Sequence, residues 1–164
     1  MTYENYIKKS EGIEVQDALV SRIPAILKVL EQVTEQGKWD YAYAADKWTV
    51  KQVVQHLIDC ERVFSYRALH IARKDTTVLL GFDENMYADQ SVAEQKEIRE
   101  LIEEYLHVMQ GIYYQFKGYT SDIMRLEANV SDYHISIEHI GRVIYGHSFH
   151  HLSVLQERYL DAGE

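Results

Sequence analysis

The segment IYGHSFHHL, residues 144–152, places three histidines within nine residues. His147 and His151 are four apart, so on a helix they stack on one face. Imidazole suits Zn, Ni, Fe and Cu. Three neutral histidines hold a divalent ion and leave a coordination position for water or substrate, as in catalytic zinc sites. A pair on one helix therefore needs a third ligand from elsewhere. Of the eight histidines, His56 has the most telling setting, because Val53, Leu57 and Cys60 around it are apolar at helical spacing. In a helix bundle, facing inward positions of this kind meet and build metal sites. The spacing alone leaves three readings open: a metal site, histidines satisfied by other contacts, or a metal-free proton-transfer site. His150 is turned about 100° from His151, so it serves the rim of such a site or makes a polar contact at the bundle edge. Asp59, one turn after His56, either orients that ring through its second nitrogen or pairs with Arg62 or Arg67 on the helix surface. Between His147 and His151 there is no glutamate, so the H-E-x-x-H arrangement of zincins is absent.

Four long amphipathic patterns must position these residues. The first runs from about Val15 to Val33, and Pro24 predicts a kink in it or a helix start near Arg22. An aromatic loop, GKWDYAYAADKW, follows. Thr49 is the predicted N-cap of the second helix, whose stripe is Val50, Val53, Val54, Leu57, Cys60, Phe64, Ala68 and Ile71. Ser91, with Glu94 three residues later, reads as a capping box that opens a third helix ending near Lys117, before Gly118. A short helical piece is predicted at Ser121–Leu126. The last helix is predicted from Ser136 to about Arg158, with Ile140, Ile144, His147, His151, Leu155 and Arg158 on one face. Residues 1–12 read as a polar lead-in. The expected fold is all-α: residues 1–164 form one four-helix bundle with a long link between the second and third helices. That link is a crossover or a cap over one end.

Hydrophobic residues make up 46% of the 164-residue chain, enough for a sizeable core, and one proline with eight glycines favours long helices. The formal net charge of -9 and the lack of a clustered basic surface argue against nucleic acid as a partner. One cysteine, Cys60, rules out an internal disulfide. It reads as a small buried hydrophobe or, one turn from His56, as a fourth ligand that would close the site. No apolar run approaches the ~18 residues of a membrane span, and no signal-peptide pattern opens the chain, so a cytoplasmic location is expected. Thirteen tyrosines against four phenylalanines suit pockets and interfaces. Tyr41, Tyr43, Tyr66 and Tyr145 are candidates for an acid or a hydrogen bond. Trp48 packs the bundle end or walls a pocket. Arg62 and Arg67 are either solvated ion-pair partners or holders of a substrate's carboxylates.

Three stretches, YAYAADKWTVKQVVQHLIDCERVFSYRALHIARKD, LLGFDENMYA and GHSFHHLSVLQERYL, resemble the DinB-like (YfiT-like) family of metal-dependent enzymes. The resemblance implies a four-helix bundle in which three histidines bind one divalent metal, Zn or Ni. Those histidines fall on His56, His147 and His151, and His150 matches a frequent extra histidine that is generally not a ligand. Some relatives resemble thiol S-transferases that use bacillithiol or mycothiol, and others resemble maleylpyruvate isomerases. The leading expectation is therefore a metal-dependent S-transferase, in which a low-molecular-weight thiol attacks a small electrophile and the bundle end or the loop around Phe82 to Tyr87 shapes the pocket. The alternatives are a metal-dependent hydrolase of a small amide or ester, with Asp59, Glu61 or Asp83 as base, and a non-catalytic metal-binding or interaction bundle. Relatives of this kind also suggest a two-fold homodimer.

Overall fold

The computed structural model describes residues 3–161. In chain order the helices are α1 (Tyr3–Lys8), α2 (Val15–Glu35), α3 (Val50–Ala72), α4 (Glu84–Asp89), α5 (Ile98–Lys117), α6 (Ser121–Met124) and α7 (Ile137–Val154). A 3₁₀ turn at Ala93–Gln95 precedes α5, and α7 runs on into a π-helical segment at Leu155–Leu160. The four long helices make the expected bundle. In cross-section α2 touches α5 and α7, and α3 touches the same two. The sequential helices α2 and α3 therefore sit across a diagonal rather than side by side. Among the described residues, no helix is long and apolar enough to cross a membrane.

Local chemistry explains most boundaries. Thr49 caps α3 as expected, and Gln52 completes a capping box with it. The whole predicted stripe of α3 is buried. Ser136 caps α7, its hydroxyl accepting from His139 N at 3.1 Å. Pro24 lies inside α2, which already begins at Val15, so the alternative of a helix start near Arg22 is corrected. Its ring is solvent-exposed, and so is Val20, whose carbonyl loses its helical partner to the missing N–H and can turn to water.

Three further expectations change. Ser91 does not open the third helix. Glu94 is drawn away to accept from Thr49 Oγ1 at 2.8 Å, and α5 starts at Ile98. The polar lead-in contains α1, whose side of the bundle is α7. The last helix passes Arg158, and its inward face ends differently. The wider π turn shifts the register, so Tyr159 is buried and Arg158 is exposed. A two-stranded hairpin, β1 (Glu127–Val130) with β2 (Tyr133–Ser136), also joins the bundle, with Ser131 at φ 52° in its turn. Leu79 of the long link bridges to Val130, so the link packs against this hairpin.

Two glycines of α7 permit close packing. A Cβ on Gly141 would lie 2.8 Å from Phe116 Cε1, and one on Gly146 would lie 2.6 Å from the Tyr6 Cα. Gly146 thus lets the α1 backbone rest directly on α7, beside His147. Gly146→Ala is expected to push α1 off, at a cost of about 1–3 kcal/mol. Urea unfolding and protease sensitivity near Lys8 and Lys9 measure it, and an unchanged midpoint with intact α1 protection would contradict it.

The core has two apolar halves. One gathers Val15, Leu19, Phe64, Phe116 and Ile140, and the other Ile26, Leu30, Leu57, Met109 and Leu155. Arg22, Glu61 and Ser148 fall at the junction on α2, α3 and α7, all fully buried. Arg22 pairs with Glu61 and donates to Ser148 Oγ at 3.0 Å, while Tyr105 of α5 donates to Glu61 Oε1 at 3.0 Å. This polar layer ties all four long helices at one level.

Candidate metal centre

His56 of α3 and His147 and His151 of α7 come together at the edge of that layer. Their candidate ligand atoms all lie within 4.8 Å of one another. His56 Nε2 and His147 Nε2 are 3.2 Å apart, close to the roughly 3.3 Å between two nitrogens sharing a tetrahedral zinc. Burial drives the protonated forms down: His56 to about 4, His151 to about 3, and His147 well below its ordinary value. Mutual repulsion of the rings adds to this for His147 and His151. Three neutral imidazoles with clustered nitrogens are what a divalent cation requires. His147 Nδ1 and His151 Nδ1 are buried with no hydrogen-bond partner among the described residues. Buried polar groups are rarely left so; His147 presents Nε2 to His56, so ligation there would fix that ring's proton on Nδ1. The donor set fits a metal.

The rings are held by aromatic neighbours rather than by carboxylates. Trp48 packs on His56 at 4.8 Å between centroids, which places it as a pocket wall. Its own carbonyl accepts from Tyr159 OH at 2.7 Å, so the π segment of the last helix fixes the wall. Phe64 meets His147 edge-on at 6.0 Å, and Tyr6 meets it edge-on at 5.4 Å. His150 lies beside His151 and Tyr6, half-buried, at the rim.

Asp59 does not orient His56. It accepts from Gln55 Nε2 at 2.8 Å and lines a separate cavity with Arg62, Lys96 and Glu104. Three residues carry Asp59 about 60° round α3 from His56, and its side chain turns to the side of Lys96 and Glu104 rather than to the histidines. Glu61 is equally unavailable, being enclosed with Arg22. Asp83 is spent as the N-cap of α4, accepting from Asn85 N at 2.9 Å. Cys60 Sγ is 3.6 Å from both ring nitrogens of His56, and burial pushes its thiol pKa far up. That suits a neutral hydrophobe better than a thiolate ligand. Tyr41 and Tyr43 pack on Tyr159, Tyr145 packs on Phe149, and Tyr66 is exposed.

A cavity of about 420 Å³ opens over the cluster, the size of a small-molecule site. Its walls bring in residues that the sequence patterns did not assign to a site. Tyr3 and Tyr6 come from α1, Tyr133 from β2, and Glu84 from α4. Arg67 completes the series His56, Cys60, Phe64, Arg67 along one face of α3, a spacing that was readable in advance. It is buried rather than solvated and forms no ion pair among the described residues, unlike Arg62, which pairs with Glu104 at 2.7 Å. Glu84 is exposed at the mouth, and its charge favours the protonated form of His56, against the burial effect.

The sequence model of the DinB superfamily matches residues 18–155. The chain belongs to that superfamily. The matched span runs through all four long helices and contains all three histidines. YfiT from Bacillus subtilis, described as "a probable metal-dependent hydrolase with an unusual four-helix bundle topology", superposes with a TM-score of 0.75 at 20% identity, over 98% of this chain and 87% of that one. At that identity the likeness concerns the fold, and the diagonal placement of α2 and α3 is a feature of this DinB chain's own bundle. No curated protein matches the chain significantly.

Proposed function

We propose that this DinB-superfamily chain is a divalent-metal enzyme that joins a low-molecular-weight thiol to a small electrophile. The observation that carries it is the three-histidine cluster with an open cavity on one side and no fourth protein ligand among the described residues. His56, His147 and His151 would hold the ion, zinc or nickel by donor type. A divalent ion bound there lowers the pKa of a thiol or water in its open position. Glu84 at the cavity mouth accepts the thiol proton and returns it to solvent. Trp48 and Phe64 wall the reacting end and limit water. The sulfur then forms a bond to the electrophilic carbon, and the leaving group departs with its electron pair.

A second reading, hydrolysis of a small amide or ester, is favoured by the same carboxylate, since Glu84 can equally take a proton from attacking water. The description of YfiT as a probable metal-dependent hydrolase points the same way. The test incubates zinc- or nickel-loaded protein with a panel of thiols and aryl or alkyl halides, and separately with esters and amides. Conjugation that disappears in His151→Ala supports thiol transfer, and cleavage without conjugation supports the hydrolase. In either case Glu84→Gln is expected to lower turnover by about a hundredfold, as loss of a general base does. Unchanged turnover in that variant would remove Glu84 from the mechanism. No turnover in either panel would leave a metal-binding bundle.

A further inference from the structure

The chain buries two arginines, and their surroundings differ. Arg22 is enclosed with its own carboxylate, Glu61. Arg67, 4% exposed, donates to Tyr3 OH at 3.1 Å and to the Leu80 carbonyl at 2.9 Å, both neutral. Its guanidinium lies 5.7 Å from the ring centroids of Phe64 and of Phe82. Buried charges are normally paired, and arginine cannot escape by losing its proton. Two neutral acceptors and two aromatic rings hold the group in position without cancelling its charge. The same side chain lines the cavity over the histidines.

We infer that the Arg67 end of this cavity receives a carboxylate of the substrate, so that the site selects small acids whose reacting atom lies at the histidine end. The inference rests on the proposed metal-enzyme reading for what happens at that other end. His56 and Arg67 are eleven residues apart on α3, and Phe64 lies between the two ends, 6.0 Å from the His147 ring and 5.7 Å from the Arg67 guanidinium, which sets the histidine and arginine ends at most about 12 Å apart. The ligand must therefore be elongated, with an apolar middle lying along Phe64. The rigid guanidinium fork matches a planar carboxylate through two N–H donors. A phosphate dianion fits less well, because among the described residues Arg67 is the only arginine or lysine lining the cavity and Glu84 stands at its mouth.

Calorimetry with zinc-loaded protein tests this, using octanedioic acid monohydroxamate, whose hydroxamate seeks the metal and whose far end is a carboxylate. The comparison ligand carries a carboxamide at that far end. Wild-type protein is expected to bind the acid about tenfold more tightly than the amide, the scale of a charge-assisted hydrogen-bonded pair. Arg67→Gln is expected to bring the two within about twofold, and Arg67→Lys, which keeps the charge without the fork, to fall between. If Arg67→Gln does not fold, Arg67→Lys and the wild-type comparison still decide. Equal affinity for acid and amide in wild-type protein, or an undiminished preference in the folded variants, overturns the inference. The metal reading fails separately: the protein takes up no zinc, and neither hydroxamate binds. Octanoate against octanamide on metal-free protein then reads the Arg67 end alone, by calorimetry, with the same outcomes for and against.

Discussion

His147→Ala and His151→Ala are each expected to abolish stoichiometric metal binding, and His56→Ala nearly so. Wild-type protein equilibrated with zinc and passed through a desalting column should retain about one ion per chain, since one such cluster exists among the described residues. Loss of even an outer-sphere partner commonly costs 10–100-fold in metal affinity, so loss of a ligand should cost more than about a hundredfold. His150→Ala and Asp59→Asn should keep the ion. His150 stands at the rim, and Asp59 faces another cavity. Binding also acts on folding, because a ligand that prefers the native state raises its melting temperature. Zinc should therefore stabilise wild-type protein and His150→Ala, but not His151→Ala. Undiminished affinity in both His56→Ala and His151→Ala would end the assignment. Loss of the ion in Asp59→Asn would show that the position of Asp59 has been misread.

Glu61→Ala is expected to be the most destabilising single substitution at the centre of the bundle. Glu61 and Arg22 are both 0% exposed, and Glu61 also receives Tyr105 OH at 3.0 Å and lies 3.3 Å from Ser148 Oγ. Removing the carboxylate leaves a guanidinium in the core that cannot neutralise itself, which costs about 3–5 kcal/mol. For a domain of this size that lowers the melting temperature by roughly 10 °C. Arg22→Met combined with Glu61→Leu should be less destabilised than either single change, because no lone charge remains. The layer also sets the site, since Glu61 follows Cys60 on α3 and Ser148 follows His147 on α7. Glu61→Ala should therefore weaken zinc binding although Glu61 is not a ligand. Urea titrations of the two single variants and the double variant measure the first effect, and zinc competition measures the second. A change below about 1 kcal/mol in Glu61→Ala would contradict the picture, since that lies within the ordinary range for a single substitution.

The sequence by itself determined the elements with strong local signals. Eight apolar positions at helical spacing and a threonine cap defined α3, and a serine cap with an inward stripe defined α7. Once a bundle was required to bury those stripes, His56, His147 and His151 were the inward-facing polar residues with ligand chemistry, and the structure brings those three together. Residues whose placement depends on contacts distant in sequence were decided only by the tertiary fold. Glu84 sits in a link without periodicity, so nothing local marks it as facing the cavity. Tyr3 and Tyr6 belong to a polar-looking segment that gains its place only because Gly146 lets its backbone approach α7. Ser91 and Glu94 have the right spacing for a cap, yet Thr49, 45 residues away from Glu94, takes the carboxylate. Asp59 and Arg67 were each one face of α3 away from a different fate. Helical spacing says which residues share a side, but only packing says which side meets the cavity and which charge finds no partner. Arg22 and Glu61 make the same point from inside the core: two charged residues that would ordinarily be assigned to the surface are buried because each cancels the other.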